Sequence, residues 1–85
     1  MKAFKFRAEC ENDVRELQLL ISFDIESISV VPISVFPDVE VTLIMENIYL
    51  EQLRDYMRLI NDSHVMIQTL ATETEYTGER NYDID

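Results

Sequence analysis

One histidine, one cysteine, one glycine, two prolines and no tryptophan leave this 85-residue chain few of the usual groups for site chemistry. The lone Cys10 rules out an internal disulfide, and with no Cys-x-x-Cys and no histidine pair a soft-ligand metal site is excluded. A single free thiol suits a reducing cytoplasm, which is the expected compartment. Gly78 stands alone, so no glycine-rich loop can cradle a phosphate. Long apolar runs are also missing, and none approaches the ~20 residues a membrane helix needs. The opening Met1-Lys2-Ala3-Phe4-Lys5-Phe6-Arg7 alternates apolar and basic residues, which predicts a strand rather than a secretory leader.

Positive charge is scarce relative to negative. Seven Lys and Arg face 17 Asp and Glu, for a net charge of −10. Binding a phosphate backbone directly takes clustered Lys and Arg. Here only Lys2, Lys5 and Arg7 cluster, and Glu9, Glu11 and Asp13 come directly after. Nucleic acid and anionic membrane are therefore poor direct partners, and a basic protein surface is the natural one.

Hydrophobic residues still make up 47% of the chain, a globular share, so the charge does not imply wholesale disorder. The length fits one domain with a thin core. Phe4, Phe6 and Ala8 alternate with Lys5, Arg7 and Glu9, which predicts a half-buried strand over 3–9. Asn12 offers an N-cap, and Val14, Leu17, Leu20 and Ile21 recur at helical spacing, so a helix is expected over about 13–22. Residues 24–35 read as extended, with Pro32 confining that strand to an edge or a bulge, and Phe36-Pro37-Asp38 as the turn after it. Val39, Val41, Leu43 and Met45 alternate with polar neighbours over 39–46. Asn47 is a second candidate cap, and Leu50, Leu53, Met57 and Ile60 mark a helix over about 48–60, ending near Asn61-Asp62. Its outer face carries the i,i+3 ion pairs Glu51–Arg54 and Asp55–Arg58. A last strand is expected over 64–72, closing a domain of residues 1–72. After it comes an acidic, flexible tail over 73–85.

The order βαββαβ predicts an α+β, ferredoxin-like sandwich: a four-stranded antiparallel sheet ordered 4-1-3-2 with two helices on one face. Central strands one and three then set Lys5 and Arg7 opposite Glu40 and Glu46, a favourable cross-strand arrangement.

No catalytic set emerges from this frame. Cys10 and His64 end and begin neighbouring strands, but a small apolar thiol and a strand-end histidine account for both. Asn81-x-Asp83-x-Asp85 has the opening spacing of a calcium loop without the glycine and glutamate that complete one. With 17 acids, close carboxylate pairs arise by chance. RNA-reading sheets of this order stack bases on central-strand aromatics, yet the third strand has none and Phe4 and Phe6 fit the core. Tyr49 and Tyr56 lie a heptad apart, flanking the core stripe of their helix.

The expectation is therefore a non-catalytic interaction protein with no metal and no cofactor. Its concrete form is an inhibitor occupying the basic nucleic-acid-binding site of a nuclease or similar enzyme, in the manner of a phage-type accessory protein. The predicted contacts are Glu9, Glu11, Asp13 and Glu16 at the first helix, with Glu73, Glu75, Tyr76, Glu79, Tyr82 and Asp83 in the tail. The alternative is a self-assembling scaffold module. It would pair through an edge formed by the last strand, with Met66, Gln68 and Leu70 on the open face.

Overall fold

The computed structural model describes residues 1–60 and 65–75. Strand β1 (Lys2–Ala8) leads into helix α1 (Glu11–Leu20), then strands β2 (Ile25–Pro32) and β3 (Val39–Met45). A 3₁₀ turn over Asn47–Tyr49 opens helix α2 (Leu50–Ile60), and a short helix α3 (Val65–Thr69) precedes strand β4 (Ala71–Glu75). The strands form one antiparallel sheet in the order β2-β3-β1-β4, so β1 and β3 are central and β2 and β4 are the edges. Counted from the β4 edge, the same order runs 4-1-3-2.

Alternation decides which sheet face is covered. Phe4, Phe6 and Ala8 of β1 and Val39, Val41, Leu43 and Met45 of β3 all point inward and are buried. They meet Val14 and Leu17 of α1, Leu53 and Met57 of α2 and Met66 of α3 in one core, so the three helices share that face. The opposite face is open. It presents Ala3, Lys5 and Arg7 beside Ile44, Thr42 and Glu40 in register, with no aromatic residue among them.

Several expectations need correcting. Helix α1 starts two residues earlier than its polar signals imply. Cys10, not Asn12, occupies the cap position, and it makes no side-chain cap. Asn12 instead donates its amide to Glu16 one turn on, at 3.3 Å. Asn47 likewise begins the 3₁₀ turn and Glu46 stands at the cap position, so α2 starts only at Leu50.

The largest difference lies at 64–72, where a strand is expected and most of the segment is helical. Met66 enters the core from α3, and Val65 and Ile67 are half-buried. Thr69 fastens the helix end from both sides. Its hydroxyl donates to the Val65 carbonyl at 2.8 Å and accepts the backbone N–H of Arg7 at 2.8 Å. β4 reaches β1 only between Lys2 and Lys5, so Thr69 satisfies an amide of β1 that the strand leaves unpaired. Consequently β4 lies further along the chain, and Glu73 and Glu75 belong to it rather than to the tail.

The predicted ion pairs of α2 form: Arg54 to Glu51 and Arg58 to Asp55, both at 2.7 Å. The tyrosines of this helical layer serve packing. Phe23 stacks on Tyr49 at 4.6 Å between ring centroids and lies nearly parallel to Tyr56 at 6.3 Å. Gln52 donates to the Tyr56 hydroxyl at 2.7 Å, which also meets Ser22 at 3.0 Å.

Candidate interaction surface

The connection from β2 to β3 runs from Ile33 to Asp38, with Pro32 just before it at the end of β2 and Pro37 near its own end. Its backbone is closed by Ile33 N–H donating to the Asp38 carbonyl at 3.3 Å and Asp38 N–H donating to the Val35 carbonyl at 2.8 Å. The Phe36–Pro37 peptide is cis within this turn. Apart from half-buried Ile33, the apolar side chains at this end of the hairpin find little cover. Phe36 is 91% exposed, and Val35 and Val31 are more than half exposed. The tip thus presents a bulky aromatic and its aliphatic neighbours to solvent.

The tip is tied to the sheet by one carboxylate. The guanidinium of Arg7, on the open face of β1, donates from Nε at 2.7 Å and from a terminal nitrogen to the same Oδ2 of Asp38. Asp38 is only 15% exposed, whereas the arginine is nearly half exposed. Lys5 meets Glu40 at 3.7 Å on the same face. The open sheet face therefore carries basic residues already engaged with acids, an unfavourable platform for nucleic acid.

Between this tip and the start of α1 lies an open cleft of about 340 Å³. Pro32, Ile33, Phe36 and Pro37 form its apolar wall, and Glu11, the first residue of α1, stands on its rim. Glu9 and Glu16 are exposed nearby in the chain. The cleft thus sets an exposed aromatic and two prolines beside the Glu11 carboxylate. Among the described residues no three His, Cys, Asp or Glu side chains gather as a metal ion would require.

The predicted contacts divide on this surface. Glu9, Glu11 and Glu16 are exposed. Asp13 is not available to a partner, because helical spacing turns it inward beside Val14 and Leu17 and leaves it 8% exposed. Its carboxylate sits in the first turn of α1, where the helix dipole favours it. Tyr76, Glu79, Tyr82 and Asp83, like His64, Asn61, Asp62 and the Asn81–Asp85 run, lie outside the described residues.

The proposed self-pairing row does not exist as a strand. Met66 is buried in the core, Gln68 projects from α3, and Leu70 packs against the core in the link to β4. Sequence reasoning placed the turn at Phe36-Pro37-Asp38 but missed the exposed apolar tip it carries. Its signal is Ile33-Ser34-Val35-Phe36 held between Pro32 and Pro37, a mostly apolar segment too short to form an element of its own. No family model, curated protein or solved structure matches the chain. No helix among the described residues is long and apolar enough to cross a membrane.

Breaking the tether should be felt locally. Asp38→Asn is expected to lower stability by about 1 kcal/mol, since the half-exposed arginine limits what a charge-assisted bond contributes. Urea unfolding measures this loss. Hydrogen exchange should show the Ile33 and Asp38 amides opening faster than those of β1.

Proposed function

We propose that this protein is a non-catalytic interaction module that seats its β2–β3 tip and the acidic start of α1 on a basic site of another protein. One observation carries the reading: Phe36, almost fully exposed, borders the same cleft as Glu11. Phe36 and Val35 expose apolar surface together at the tip, and an aromatic anchor ringed by charge is how protein interfaces gain affinity and orientation. The net charge of −10 supports a basic partner.

In its finer form the protein is an inhibitor of the phage-accessory kind, built as a ferredoxin-like sandwich with one added helix. It fills the nucleic-acid-binding groove of a nuclease or a related enzyme. Acids replace phosphates along that groove, and Phe36 supplies the contact that phosphate alone lacks. Glu73, Glu75, Glu79 and Asp83 contribute further negative charge toward such a partner.

Retention of a host enzyme on the immobilised protein, then an activity assay of that enzyme, tests the reading. Inhibition should weaken by about tenfold or more as salt rises from low to well above physiological strength, because the attraction is between screened charges. Salt-independent binding, or a partner with an acidic surface, would overturn it.

A further inference from the structure

β2 is one of the sheet's two edges. Among the described residues it pairs with β3 alone, so the other side of its eight residues has no strand partner. Proteins ordinarily blunt such an edge with lysine, proline, a bulge or short length. Here the register irregularity is confined to Ile25 and Ser27 at one end, and Pro32 comes only at the other. The stretch from Ser27 to Val31 keeps every backbone donor and contains no charge. The opposite edge differs: β4 has five residues, and two of them are glutamates.

Charge selects what can pair there. No Lys or Arg occurs anywhere between Glu16 and Leu53, so the charged residues of β2 and β3 are all acids. Asp24, just before β2, and Glu26, near its start, are exposed, and Glu11 stands on the cleft beyond its end. A second copy would bring the same acidic hairpin and another −10 of charge. A strand bearing Lys or Arg gains where a copy is repelled. Ser27 and Ser29 are exposed and small, leaving room for β-branched neighbours on the added strand.

We infer that the free edge of β2 takes an extended basic segment of the partner as a fifth strand, while the tip and cleft beyond Pro32 receive the partner residues adjoining that segment. This rests on the basic-partner reading above and adds the mode of attachment, in which main-chain bonds supply affinity and charge supplies selectivity.

The test uses the full chain and three synthetic peptides: alternating Lys-Val over eight residues, the same peptide N-methylated at every second residue, and alternating Glu-Val. The Lys-Val peptide should bind and slow amide exchange within Ser27–Val31. N-methylation should cost at least about tenfold in affinity, since several main-chain bonds are lost while charge is kept. The Glu-Val peptide should not bind, and Glu26→Lys, an exposed change, should weaken the Lys-Val peptide by about threefold or more. Equal binding of the N-methylated peptide, or protection on β4 instead of β2, overturns strand addition. If the Lys-Val peptide fails while a captured enzyme still binds, strand addition falls and the docking surface stands. If both fail, the basic-partner reading falls with it.

Discussion

Phe36→Ser should abolish most partner binding while leaving the fold intact. A side chain 91% exposed contributes almost nothing to folding, so the stability change should stay within about 0.5 kcal/mol. As an interface anchor the same side chain should be worth about 2 kcal/mol or more, roughly a thirtyfold loss of affinity. Calorimetric titration of the captured partner gives the second number, and urea unfolding gives the first. Glu11→Gln on the cleft rim should cost less and act mainly through the association rate and its salt dependence. A Phe36→Ser protein that binds unchanged would remove the tip from the interface.

Phe6→Ala should do the reverse and threaten the fold itself. Phe6 is buried to 1% exposure in β1, one of the two central strands, opposite Val41. Emptying such a site costs about 3–5 kcal/mol, from lost transfer energy and the cavity left behind. A domain of 85 residues has only about 5–10 kcal/mol in total, so most of its stability is at stake. The urea midpoint should fall steeply with an unchanged slope, as befits a loss of packing without a change in the surface exposed on unfolding. A loss below about 1 kcal/mol would mean that the core closes around the gap. Neighbouring Arg7 faces the other way, and its removal should act on the tip rather than on the core.

Phe6 and Phe36 stand at opposite ends of what a sequence can reveal. Strict alternation made β1 and β3 visible, because one face is buried and a shift of a single residue would invert it. The helical stripe of Leu53 and Met57 made α2 visible for the same reason. Pro32 marked β2 as an edge through its missing amide proton alone. At 65–69 both rows, Val65-Ile67-Thr69 and Met66-Gln68, mix apolar with polar, and the segment is scarcely longer than one helical turn. Periodicity cannot separate strand from helix over so short a stretch. What decides it is tertiary: Met66 fills the core and Thr69 meets β1, partners distant in sequence.

The site was legible only as charge. Acid near α1 could be counted, but which acids face outward depends on the phase of the helix, and that phase buries Asp13. The exposure of Phe36 depends on a turn whose flanking strands must first be in register. Apolar residues are expected inside, so an aromatic left outside is invisible until the inside has been filled.

The place of β1 between β3 and β4 has a kinetic consequence. Lys5 must find Thr42 on one side and Ala71 on the other, so the middle of the sheet is closed by two pairings that are distant in the chain. Topologies dominated by such separations fold slowly, because loop closure must come before the contacts that reward it. During synthesis the β2–β3 hairpin can form locally while β1, with two buried phenylalanines, waits for its second neighbour. Until β4 docks, the Lys2–Lys5 stretch of β1 lacks its second strand partner, an open edge of the kind that invites pairing with another chain.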